Sequence, residues 1–213
     1  MKALSLSQLE TWMSFYYDNP QPDLIPRAIF TFHKEGYLTN ELTQEPIVFF
    51  LSFIFRDNPT KIAEWFSQLN DLSILDRQAL VRSLWISNNH QSKEYLAYLS
   101  QNGDPEIKML IDRLLSMSPP EIDKIPIDYP NVLDILWASF IATGSEIYVN
   151  RIISALCIEN SEDFLVNQII QKAARWLLIA NKKYHERVRL CCSQSMEKSE
   201  DVALILQEIL TEV

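Results

Sequence analysis

Six cations crowd one stretch of this chain: Lys172, Arg175, Lys182, Lys183, Arg187 and Arg189, with His185 among them and only Glu186 opposing them between 172 and 189. Lysine and arginine at this density, with Trp176 and Tyr184 interleaved, are the side chains that bind carboxylates, phosphates and head groups. The chain as a whole has a net charge of -9 and a pI near 4.9, so the cluster is a local exception. One account is structural: cations favour the C-terminal turn of a helix and pair with acids elsewhere. The other is functional and makes the cluster a docking site for an anionic partner. The overall negative charge disfavours nucleic acid and anionic lipid as partners of the whole surface, though a local patch can bind the phosphate of either, and another protein with an acidic segment is the expected partner.

Other chemistry finds little support. The three histidines, His33, His90 and His185, fall on different expected elements, and no CxxC, HExxH or HxxxH motif is present. His185 stands about 9–10 Å in helical rise from Cys191 and Cys192, too far to share an ion with them. His185 is therefore expected at the surface, the two adjacent thiols buried or half-buried, and Cys157 buried on the apolar stripe IISALCIEN. No GxSxG elbow occurs, and neither GxxxxGK[ST] nor GxGxxG can form where Gly36, Gly103 and Gly144 are so far apart. The paired acids Glu162-Asp163 and Glu200-Asp201 follow serines and read as helix caps rather than as catalytic carboxylates. The sequence thus predicts no catalytic residue, no metal site and no cofactor. An odd count of cysteines, two of them adjacent, fits a reducing compartment and a cytoplasmic location.

The elements that position these residues are helices. Average usage would supply roughly fifteen glycines to a chain of this length, and only three occur. Hairpin turns need glycine for positive φ, so an all-α fold is expected. Each glycine follows an apolar-periodic segment, where a left-handed residue commonly ends a helix. Starts are marked by Ser7-Gln8-Leu9-Glu10 and Ser73-Ile74-Leu75-Asp76 as capping sequences, and by proline at the first helical position in Asn58-Pro59, Asp104-Pro105 and Tyr129-Pro130. Apolar residues recur at three and four, as in Leu133, Leu136, Trp137 and Phe140. About twelve short helices result, near 7–18, 24–35, 44–56, 59–69, 74–88, 92–101, 105–116, 130–143, 146–158, 162–180, 184–196 and 200–211.

Short connections predict antiparallel helix pairs, arranged as an α-solenoid of the HEAT-like kind or as a multi-helix bundle. The stretch Ser116 to Pro130 holds four of the ten prolines, so a Pro-rich strap at 117–130 divides an N-terminal helical subdomain at 1–116 from a C-terminal one at 131–213. The most apolar window, Ile47 to Phe55, is about half the length a membrane span requires and reads as a core helix. In the run Phe15-Tyr16-Tyr17 at least one ring must be partly exposed, because consecutive residues cannot share one helix face.

Taken together, the residues favour a non-enzymatic helical interaction or scaffold protein, with the basic cluster as its binding surface. Two further readings stay open at this point. One is an enzyme or small-ligand binder with a pocket between helices, and the other is a bacterial effector delivered into a host cell, with the acidic C-terminal segment as its signal.

Overall fold

The computed structural model describes residues 2–159, 164–197 and 200–212, with only the backbone described at 200 and 201. The capping side chains expected at Ser161-Glu162-Asp163 and Ser199-Glu200-Asp201 lie outside the described residues. The fold is all-α: the described residues form twelve helices and no strand. They are α1 (Leu6–Ser14), α2 (Ile25–Lys34), α3 (Gln44–Asp57), α4 (Ile62–Ser67), α5 (Ile74–Ser87) and α6 (His90–Asn102). There follow α7 (Pro105–Leu115), α8 (Asn131–Thr143), α9 (Glu146–Ser154), α10 (Phe164–Asn181), α11 (Glu186–Met196) and α12 (Glu200–Thr211).

The chain divides into two compact units. The first runs to Pro120 and includes 141–143, and the second comprises 121–140 and 144–213, so α8 contributes to both.

In the first unit α3 is the centre. Every residue from Ile47 to Phe55 is buried, so the most apolar window is a core helix, against which α5 packs most extensively. Each large apolar side chain so covered contributes about 1.5–3 kcal/mol of transfer free energy. The N-terminal aromatic run feeds the same core: Trp12, Tyr16 and Phe50 meet edge to face with centroids 5.3 to 5.7 Å apart, while Phe15 is exposed. Polar ties fix the helices in register. Arg82 of α5 pairs with Glu45 of α3 at 2.6 Å, and His33 at the end of α2 meets the buried Asp76 of α5 at 2.7 Å. Asp76 also accepts from the hydroxyl of Ser73, the residue that caps α5 by accepting from the Asp76 amide at 3.2 Å.

In the second unit α9, α10, α11 and α12 pack on one another. The later part of the Pro-rich strap belongs here and is held by Arg151 of α9, which donates to the carbonyls of Ile122, at 2.9 Å, and Ile125. Gln171 of α10 donates to the Ile158 carbonyl at 2.9 Å, fixing α10 against the turn that follows α9.

Several local expectations need correction. Ser5, not Ser7, caps α1, and Gln8 completes the capping box by accepting from the Ser5 amide at 3.0 Å. Pro130 precedes the first helical residue of α8, and Pro59 opens a 3₁₀ turn before α4. Gly36 and Gly144 are left-handed, with φ of 71° and 67°, but Gly103 is not. It ends α6 in extended backbone, and a Cβ there would stand 2.6 Å from the Leu99 carbonyl oxygen, so close approach rather than positive φ requires glycine. The left-handed residue after α5 is Asn88, with φ of 49°.

A candidate anion-binding groove at the end of α10

The six cations come from three places: Lys172 and Arg175 from the middle of α10, Lys182 and Lys183 from the turn that follows it, and Arg187 and Arg189 from α11. That turn is tight. The amides of Tyr184 and His185 donate to the Asn181 carbonyl at 3.1 and 3.0 Å, which brings α11 back on α10 within a few residues.

Three of the six are used inside the unit. Arg175 reaches across to α12, donating to Glu208 at 2.9 Å and Glu212 at 3.2 Å. Lys182 donates its ammonium hydrogens to the carbonyls of Ile209 and Glu212, at the C-terminus of α12. The last carbonyls of a helix have no partner within it and carry partial negative charge, so this lysine caps α12. Arg187 donates to the Gly144 carbonyl at 2.8 Å and so ties α11 to the entry of α9. These three side chains account for part of the basic cluster as scaffolding.

The remaining three face outward. Arg189 pairs with Glu186 at 2.5 Å, three residues before it, but both side chains are exposed, and a pair of that kind contributes only about 0–1 kcal/mol. An incoming carboxylate can displace it at little cost. Lys183 sits 4.9 Å from the centroid of the exposed Tyr184 ring. Lys172 is exposed on the outer face of α10, and among the described residues neither it nor Lys183 has a carboxylate partner.

Lys182, Lys183 and Arg189 line one groove of about 620 Å³, together with Tyr184, Glu212 and an apolar floor of Ile179, Ala180 and Leu210. Lys172, Arg175 and Arg187 do not line it. Two other surface depressions have different chemistry. One, of about 480 Å³ on α1 and the segment leading to α2, has Arg27 as the only charged residue in its lining. The other, of about 250 Å³, is lined by Tyr95, Tyr98 and Glu94. Of these three, the groove at the end of α10 is where several cations converge beside apolar side chains.

Two expectations for neighbouring residues are corrected. His185 is not a surface histidine: it is 2% exposed and is wedged edge-on against Trp137 and Phe140, with centroids 5.2 and 5.8 Å away. Burial lowers its pKa below the usual 6.5, because the cation would lose its hydration there. Cys157 is exposed rather than buried, since α9 gives way to a 3₁₀ turn at Ala155–Cys157 that rotates it outward. Cys191 and Cys192 are both buried in α11. Burial first, and then the neighbouring Cys191, push the Cys192 thiol up to about 12, opposed by the Lys182 ammonium nearby.

The sequence reading missed the acids that answer the cluster. Glu208 and Glu212 lie far along the chain, but their spacing of one helical turn on α12 is a pattern that suits pairing with a basic helix. It also missed the apolar floor, which only the packing of α12 beside the turn creates.

The chain matches no family model, no curated protein and no solved structure, so these residues and their geometry carry the functional argument.

Proposed function

We propose that this chain is a helical protein-interaction module whose groove at the end of α10 binds an acidic segment of another protein. The observation that carries this reading is the convergence of Lys182, Lys183 and Arg189 over the apolar floor of Ile179, Ala180 and Leu210, on a chain whose net charge is -9. A peptide offers what such a groove selects: carboxylates for the rim and aliphatic side chains for the floor. A long polyanion such as nucleic acid would have to approach the acidic remainder of the surface, which costs more than a short groove returns. Lys182 is already anchored to α12, so it presents charge from a fixed position, while Lys183 and Arg189 are held only by exposed contacts with Tyr184 and Glu186 that a ligand can replace.

The test is charge reversal at the two outward cations. Lys183→Glu with Arg189→Glu leaves Arg175, Lys182 and Arg187 in place, so the fold is kept. Fluorescence anisotropy with a labelled peptide of scrambled Leu, Ala and Glu, read at low and high salt, should show saturable binding that the double variant weakens by about tenfold or more. Equal affinity for the variant and the parent chain would refute the reading.

A further inference from the structure

Helix α10 has two apolar sides, and the described residues of its unit cover only one. Ile170, Ala174, Leu177 and Leu178 turn inward and are buried. On the other side Leu165, Ile169, Lys172 and Trp176 succeed one another by four, three and four residues, the spacing of one helical face. The three apolar members of that row are 65%, 54% and 68% exposed. On α12 the exposed Leu204 stands one turn before Glu208, the partner of Arg175. Single exposed apolar residues are ordinary, but a row of large ones along a helix marks an interaction surface, and tryptophan is the residue most enriched where binding energy concentrates.

We propose that an acidic amphipathic helix of a partner protein lies along this face of α10. Its apolar residues, spaced by four, three and four, pack on Leu165, Ile169 and Trp176. Its carboxylates meet Lys172 midway and Lys183 and Arg189 at the end of the helix. The proposal rests on reading the groove as an anion site and extends that site along α10 into a continuous surface.

Charge decides between occupants. The 18 residues of α10 include Lys172 and Arg175 and no carboxylate, so the helix itself offers nothing to neutralise a lysine that becomes covered. A second copy docking by the same face in a two-fold arrangement would bring two Lys172 ammonium groups into one apolar interface without a carboxylate from either α10, and the neighbouring Glu208 and Glu212 are already paired with Arg175. An anionic bilayer would meet the exposed Glu208 and the half-exposed Glu212 beside the same helix. An acidic helix answers the lysine and the apolar row together, and can place its carboxylates to avoid the two glutamates.

Two labelled peptides of identical Leu, Ala and Glu composition, about as long as α10, test this. In one the leucines fall on one helical face, and in the other they are scrambled. The patterned peptide should bind about tenfold tighter or better, and Trp176→Ala should weaken it by about thirtyfold, the loss typical of a central tryptophan. Lys172→Glu should weaken it as well, while the scrambled peptide should respond to neither substitution. Binding should also shift the emission of an exposed indole to the blue, and Trp176→Phe should abolish that shift. Equal affinity for the two peptides, or patterned binding that survives Trp176→Ala with the circular dichroism unchanged, overturns the proposal. In either case scrambled-peptide binding that still depends on Lys183 and Arg189 leaves the groove reading standing, whereas absence of binding by both peptides at low salt overturns both. A concentration-dependent dimer that Trp176→Ala dissociates would assign the face to a second copy, which also refutes the proposal.

Discussion

Helices α3 and α10 are both long and rich in apolar residues, yet α3 is covered from Ile47 to Phe55 while α10 keeps Ile169 and Trp176 in solvent. Their composition explains the difference. From Ile47 to Phe55 the α3 sequence has Ser52 as its only polar residue, and that hydroxyl turns back to donate to the Phe49 carbonyl at 2.7 Å. No side of it tolerates water, so neighbours must surround it. The α10 sequence interrupts its apolar residues with Lys172 and Arg175, which cannot be covered without carboxylates. Arg175 finds them on α12, and among the described residues Lys172 does not. An apolar helix that carries an unanswered cation on its outer face is therefore one a domain covers on one side only.

The largest effect that sharpens this contrast is a matched pair of truncations. Phe50→Ala removes a fully buried ring from α3 and should cost about 3–5 kcal/mol of unfolding free energy, whereas Trp176→Ala should change it by about 0.5 kcal/mol or less. Urea unfolding followed by circular dichroism measures both. Comparable losses from the two would mean that the outer face of α10 is core after all, and the contrast would fail.

A second, smaller effect separates the two units through their histidines. His33 in the first faces the Asp76 carboxylate, whereas His185 in the second is pressed between rings. Well above pH 6.5 His185 is neutral in the folded and the unfolded chain and contributes no pH dependence. Below 6.5 the unfolded chain takes up a proton that the folded one resists, since burial holds the folded pKa lower. Stability should therefore fall as pH drops through 6.5, and His185→Phe, which keeps the ring contacts, should remove that part of the slope. Thermal unfolding at a series of pH values reads the difference, and an unchanged slope in the variant would show that the imidazole titrates freely.

How much of this was legible in the sequence follows from the range of the interactions. The all-α fold and the number of helices follow from glycine scarcity and three-four periodicity, which are local signals. Helix ends were less exact for equally local reasons. Ser5 and Ser7 each precede a residue able to complete a capping box, Gln8 and Glu10, and the choice of Ser5 is visible only in the folded backbone. Glycine marks a stop at 103 as at 36 and 144, but the residue type alone does not distinguish a left-handed turn from a close approach to a carbonyl. At the candidate site the six cations were visible as a cluster. Their sorting into anchors and outward-facing charges was not, because it depends on Glu208, Glu212 and the end of α12, which are remote in sequence.

The smallest effect concerns the thiols, which report the same covered and uncovered sides without disturbing stability. Thiolate is the reactive form, so a buried thiol pushed up to about 12, as Cys192 is, has almost none at pH 8. Cys191 is shielded by the packing of α11, whereas Cys157 is open to solvent at the end of its 3₁₀ turn. A chromogenic disulfide reagent at pH 8 should therefore titrate one thiol rapidly in the folded chain and all three in denaturant, and Cys157→Ser should abolish the rapid phase with no change in melting temperature. A second fast-reacting thiol would mean that α11 opens readily from α9 and α12. In that case Lys182, which caps α12 beside Cys192, would not hold its charge in a fixed position, and the groove would have to be assembled by its ligand.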